Sequence, residues 1–167
     1  MNFRTIKATI NGIPVEVPAG TSILDAARGV QVKIPTLCKH EDLLQTAACG
    51  LCIVKVGQGR KLPRACATAL EEGMEVTTHD SELTEVRRAT LELILSNHPN
   101  ACLTCGRNCN CELQTLAADF GIRQDNIQRY VRDLPQDCST GSIVLDFNKC
   151  IKCGRCIQVC QGMQNVW

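Results

Sequence analysis

Polar and apolar positions alternate at the start of the chain, where Thr5, Ile6, Thr9 and Ile10 place β-branched side chains within residues 3–10. A period of two with such residues predicts a strand. Asn11-Gly12 is a two-residue type I′ hairpin signal, and Val15 and Val17 carry the return strand. Thr21 or Ser22 can cap a short helix through Ile23, Leu24, Ala26 and Ala27 that ends near Gly29. Past Pro35 a loop is expected, then strands over residues 53–56 and 73–78 with a turn at 57–59. Strand–strand–helix followed by strands makes a small mixed α+β module ending near residue 79. The period then becomes helical. Asp80 or Ser81 can cap a helix in which Leu83, Val86, Thr90, Leu93 and Ile94 recur up to Ser96. Asn97-His98-Pro99-Asn100 breaks it, and a second helix through Glu112, Leu113, Leu116, Ala117 and Phe120 stops at Gly121. Residues 122–142 are polar and weakly patterned, and Ile143 to Leu145 predict a short strand.

Composition sharpens this picture at one point. Aromatic residues are 3% of the chain, so the core must be aliphatic and such small modules call for staples. Thirteen cysteines in 167 residues can supply them. Residues 1–10 (MNFRTIKATI) read as a strand rather than an export signal, and the densest aliphatic patch, Leu91 to Leu95, is far shorter than a membrane span. A reducing cytoplasm is the expected setting; disulfides are rare there, and an odd cysteine count fits full pairing poorly. Metal ligation is therefore favoured over a disulfide framework. A net charge of +1 gives no footprint for nucleic acid or anionic lipid, so other proteins are the expected partners.

The cysteines fall into three groups. Cys38-x10-Cys49-x2-Cys52-x13-Cys66 puts three ligands on one loop and the fourth on a later segment. That suits a [2Fe–2S] cluster, in which each iron takes two thiolates, whereas four-thiolate zinc sites use two close pairs and only Cys49/Cys52 is close here. The small neighbours Ala47, Ala48 and Gly50 let backbone N–H groups approach sulfur. The second group is Cys102, Cys105, Cys109 and Cys111, with His98 four positions upstream of the first. An imidazole in place of a thiolate removes one negative charge and raises a cluster's potential. Spacing leaves the set with His98 and the all-cysteine set with Cys109 both open. The third group, Cys150-x2-Cys153-x2-Cys156-x3-Cys160, is the run of bacterial ferredoxins, in which three cysteines bind one [4Fe–4S] cluster and the fourth binds another. Gln161 replaces the usual proline, and a second run is absent. The site is thus truncated, completed by another chain, or binds metal differently. Cys138 stands apart and reads as a partly buried, unreactive thiol.

With these motifs in view the chain resembles the N-terminal electron-transfer region of the multi-cluster [FeFe]-hydrogenase catalytic subunit. It is similar also to the large iron–sulfur subunit of NADH dehydrogenase and of NAD-linked formate dehydrogenases. Pro35-Thr36-Leu37-Cys38, Cys49-Gly50-Leu51-Cys52 and Pro63-Arg64-Ala65-Cys66 carry the likeness at the first site. His98-Pro99, Cys102-Leu103-Thr104-Cys105 and Asn110-Cys111-Glu112-Leu113-Gln114 carry it at the second, and residues 148–156 at the third. The resemblance implies a β-grasp [2Fe–2S] domain over residues 1–79 and a small helical [4Fe–4S] domain over 80–121. A connecting segment over 122–142 and an incomplete ferredoxin segment over 143–167 follow. It implies His98, Cys102, Cys105 and Cys111 as ligands, with Cys109 outside the set, and a second [4Fe–4S] cluster at Cys150, Cys153 and Cys156 if another part completes it. The implied partners are a flavin- and NAD(H)-binding subunit, other iron–sulfur subunits, and ferredoxin or a hydrogenase-type catalytic domain. No catalytic centre is expected within the chain itself. Two other readings compete: a zinc-stapled interaction module, and a redox-sensing or cluster-carrier protein.

Overall fold

The computed structural model describes residues 4–123 and 127–166, so the expectations at Phe3, at Trp167 and over 124–126 lie outside the described residues. Two compact units divide the chain: residues 1–87 with 154–167, and residues 88–153. The first combines a sheet with helices, the second carries helix, and the chain as a whole is α+β.

In the first unit β1 (Thr5–Ile10) and β2 (Ile13–Pro18) form the expected antiparallel hairpin, with Ile10 opposite Ile13. The turn residues Asn11 and Gly12 have φ of 52° and 79°, the left-handed pair that a type I′ turn requires. Asn11 also ties the turn to the sheet: its Oδ1 accepts from the Thr78 backbone N–H at 2.8 Å and its Nδ2 donates to Thr78 Oγ1 at 2.7 Å. α1 (Ile23–Gly29) begins at Ser22, whose hydroxyl oxygen accepts from Asp25 N–H. β3 (Lys55–Val56) and β4 (Glu75–Thr77) complete a sheet ordered β2-β1-β4-β3, with β1 and β4 parallel and the other pairs antiparallel. These two strands are shorter than the pattern predicts; Ile53 instead forms an isolated bridge with Arg64. Inward positions of the sheet and α1 meet in an aliphatic core that includes Ile10, Val15, Leu24, Val54, Leu70 and Val76.

The division between units falls within α2 (Ser81–Ser96). Asp80 rather than Ser81 caps it, its Oδ1 accepting from Leu83 N–H at 2.7 Å. Lys55 Nζ meets both Asp80 and Glu82 at 2.6 Å. The buried positions of α2 are Leu83, Arg87 and Leu91, joined by Glu92 and Ser96 in its last turns, while Val86 and Leu93 of the predicted stripe are exposed. The true stripe runs at i, i+4 and i+8, and the arginine inside it hid that period.

The second unit continues with a 3₁₀ turn at Cys102–Thr104 and α3 (Glu112–Asp119), whose Leu113 and Leu116 are buried. Gly121 closes α3 as expected, with φ of 63°. In place of a strand at 143–145 there is a single bridge between Asp137 and Leu145. A second 3₁₀ turn, Phe147–Lys149, precedes Cys150. In the first unit an unforeseen helix, α4 (Arg155–Gly162), starts at Gly154, and Arg155 donates to the Lys39 carbonyl at 3.1 Å. No helix among the described residues is long and apolar enough to cross a membrane.

Candidate iron–sulfur sites

Backbone pairing brings the first four cysteines together. The leading N–H groups of α1, which no intrahelical partner can satisfy, donate to the segment around Cys66: Ile23 to Thr68 O at 2.9 Å and Leu24 to Ala65 O at 3.0 Å. Ala65 N–H in turn donates to Cys52 O at 2.8 Å, and Val54 N–H to Pro63 O at 3.0 Å. Cys52 and Cys66 therefore lie on adjacent backbone, with their sulfurs 3.1 Å apart. Cys38, Cys52 and Cys66 are buried at 3%, 1% and 6% exposure, and the latter two belong to the aliphatic core itself.

Cys38 and Cys49 form the other pair. The Cys49 thiol, the N–H groups of Cys49 and Ala48 and the Thr46 hydroxyl all favour the Cys38 thiolate; against the opposing effect of burial they bring it down to about 4. Cys52 is held down to about 7, chiefly by the Cys66 thiol. Cys49 is pushed up by its bond to Cys38 and by burial, even though Leu37 N–H lies 3.4 Å from its sulfur and Leu51 N–H also favours the thiolate. Cys66 is pushed up by its bond to Cys52, by burial, and then by the charges of Cys52, Cys38 and Cys49. The Cys38 charge thus reaches all three other sulfurs, and Cys66 feels the charges of Cys52, Cys38 and Cys49 together. Ala47 and Gly50, with φ of 50° and 71°, bend the loop so that successive N–H groups face inward. Such inward N–H groups form an anion-binding concavity. Among the described residues no three or more His, Cys, Asp or Glu side chains close around a single-ion site; the four thiols stand as two pairs. Two thiolates per iron with N–H donors on sulfur is the donor set of a [2Fe–2S] cluster, and these residues fit it.

The second group lies in the second unit. His98, Cys102 and Cys111 line one cavity of about 580 Å³, together with Leu95, Pro99 and Leu113. Neither Cys105 nor Cys109 lines it; Cys105 Sγ accepts from Arg107 N–H at 3.5 Å. Cys109 is exposed, in a left-handed residue of φ 62°, and its N–H donates to Gln114 Oε1 at 2.9 Å. His98 Nδ1 is 3.0 Å from the Pro99 carbonyl. A carbonyl only accepts, so Nδ1 carries the proton and Nε2 keeps the free lone pair that a metal needs.

Of the third group, Cys150 and Cys153 belong to the second unit, and Cys156 and Cys160 to α4 of the first. Cys153 is half-buried and the other three are exposed. Cys138 is also exposed, which corrects the expectation of a partly buried thiol. The segment 131–145 is exposed throughout and offers no apolar layer to cover it.

Sequence reasoning missed Arg87, which is 1% exposed. Its Nε donates to Leu51 O at 3.1 Å and its Nη2 to Ile53 O, the carbonyls on either side of Cys52. Its position four residues from both Leu83 and Leu91 was the available signal.

Paired core cysteines, a histidine poised beside two cysteines and a ferredoxin run define an iron–sulfur electron-transfer segment. Residues 4–81 match the 2Fe-2S iron-sulfur cluster binding domain family, residues 87–126 the NADH-ubiquinone oxidoreductase-G iron-sulfur binding region, and residues 143–162 the 4Fe-4S binding domain. Among particular proteins, the chain is 40% identical to the NADP-reducing hydrogenase subunit HndD of Solidesulfovibrio fructosivorans, over 98% of this chain and 28% of that protein. It is 31% identical to the NADH-ubiquinone oxidoreductase 75 kDa subunit of Reclinomonas americana, over 92% of this chain and 22% of that protein. The chain therefore spans about a quarter of the length of these relatives. A crystal structure of NAD+-reducing [NiFe]-hydrogenase in the H2-reduced state superposes with a TM-score of 0.89 at 29% identity, over 95% of this chain and 67% of that one. The resemblance drawn from the cysteine motifs holds.

Proposed function

We propose that the chain relays single electrons within an NAD(P)-linked oxidoreductase complex of the hydrogenase and NADH dehydrogenase type. Electrons pass between a flavin- and NAD(H)-binding partner subunit and ferredoxin or a hydrogenase-type catalytic domain, in the cytoplasm. Cys38, Cys49, Cys52 and Cys66 hold a [2Fe–2S] cluster in a β-grasp domain over residues 1–79. The hairpin, the α1 crossover and the parallel pairing of β1 with β4 support that topology. His98, Cys102, Cys105 and Cys111 hold a [4Fe–4S] cluster in residues 80–121, with Cys109 outside the set. After a connector over 122–142, residues 143–167 carry Cys150, Cys153 and Cys156 for a second [4Fe–4S] cluster that needs a further ligand, and Cys160 for another cluster.

The observation that carries the reading is the first site: four thiols in two pairs, three of them buried, with backbone N–H groups turned onto their sulfurs. A bound cluster supplies one-electron storage without bond rearrangement; the protein sets its potential through ligands, N–H donors and burial. Anaerobically purified protein is expected to contain about six irons with matching acid-labile sulfide, or about ten if the third site loads. Stoichiometric zinc without labile sulfide would overturn the reading in favour of a zinc-stapled module.

A further inference from the structure

Burying a guanidinium is expensive unless its charge is used, and Arg87 is the largest fully buried side chain of the described residues. No carboxylate lies within ion-pair distance of it among the described residues; the nearby anions that favour its charge are Cys52 first and Asp80 second. His79, the neighbouring titratable group, is held neutral more readily by burial and by the Arg87 charge itself, so it adds no second positive charge beside Arg87. Arg87 reaches the peptide units on both sides of Cys52 through the Leu51 and Ile53 carbonyls. In a trans peptide C=O and N–H point in opposite directions, so turning Leu51 O toward Arg87 turns Cys52 N–H away from it. That N–H is among the groups favouring the Cys52 thiolate.

We propose that Arg87 is a positioning residue of the first cluster: its buried charge raises the cluster's reduction potential, and its two carbonyl bonds hold the Cys52 loop with its N–H groups on sulfur. The proposal rests on the [2Fe–2S] assignment at Cys38, Cys49, Cys52 and Cys66. A cluster gains negative charge on reduction, and a fixed positive charge in a low-dielectric interior favours the reduced form. Arg87 belongs to α2 rather than to a ligand loop, which is why no cysteine motif includes it.

The test is a redox titration of the [2Fe–2S] electron paramagnetic resonance signal in the full chain as wild type, Arg87→Gln and Arg87→Lys. Arg87→Gln keeps a donor and loses the charge. It is expected to make reduction about tenfold less favourable, about 59 mV for one electron. Arg87→Lys keeps the charge and is expected to stay near the wild-type value. A cluster retained in Arg87→Lys and lost in Arg87→Gln also supports a role for the charge. An unchanged potential in Arg87→Gln overturns the inference, as does an equal fall in both variants or loss of the cluster in both. Wild-type protein with no [2Fe–2S] signal would instead overturn the ligand assignment beneath it, so the two failures are distinguishable.

Discussion

The two better-defined sites in this chain are built in opposite ways. In the first unit Cys52 and Cys66 are core residues, packed with Val54 and Ala65 and fixed by hydrogen bonds from α1 and across the Ile53–Arg64 bridge. In the second unit His98, Cys102, Cys105 and Cys111 are only half-buried and sit on the loop between α2 and α3. The fold therefore presents the first site with its sulfurs already paired, while the second offers a cavity with three donors on its wall and Cys105 outside it. Where ligands belong to the core, the cluster and the fold stabilise each other. Where they belong to a loop, metal binding must finish the geometry.

The largest effect expected from this contrast is on stability. Cys66→Ser should remove about two irons per chain and lower the Tm of the first unit by about 8–16 °C, from a loss of about 2 kcal/mol at 4–8 °C per kcal/mol. Cys111→Ala should remove about four irons with a smaller fall in Tm. Iron analysis with calorimetry checks both, and equal falls in Tm would erase the contrast. A smaller effect separates the two ligand sets at the second site. His98→Cys should keep a [4Fe–4S] cluster while making reduction about tenfold less favourable, about 59 mV, and Cys109→Ala should leave both iron content and potential unchanged. A potential titration with the reverse pattern would move Cys109 into the set.

The smallest effect concerns the start of α2, in the first unit. The Leu83 N–H and Lys55 hold the Asp80 carboxyl below its ordinary value. A depressed folded-state pKa contributes stability that is present above the unfolded value of about 3.9 and is lost as pH falls through the folded one. Asp80→Asn should therefore flatten the dependence of Tm on pH below about pH 4, and an unchanged slope would remove the cap from the account.

Much of this was legible in the sequence because it depends on near neighbours. Asn11-Gly12, Ser22, Pro99 and Gly121 act within a turn of themselves, and the structure places a hairpin, a cap, a break and a stop at them. Cysteine spacing likewise grouped Cys52 with Cys66, whose fourteen-residue separation closes through one strand-like pairing. What escaped depends on distant contacts. Arg87 reads as a surface residue until the carbonyls of Leu51 and Ile53, more than thirty positions away, are seen to face it. The exposure of Val86 and Leu93 follows from the same misplacement of the helix face. α4 was hidden by its cysteines, which read as a motif rather than as helical positions, and residues 143–145 lack the partner strand that their β-branched side chains suggest.

The central claim is that two unlike clusters occupy these two sites. A Mössbauer spectrum of protein reconstituted with iron-57 and sulfide tests it directly. The account predicts two components, a [2Fe–2S] species with about one third of the iron and a [4Fe–4S] species with the rest, the former falling to about one fifth when the third site is also loaded. A single component, or mononuclear iron in tetrathiolate sites, would contradict it.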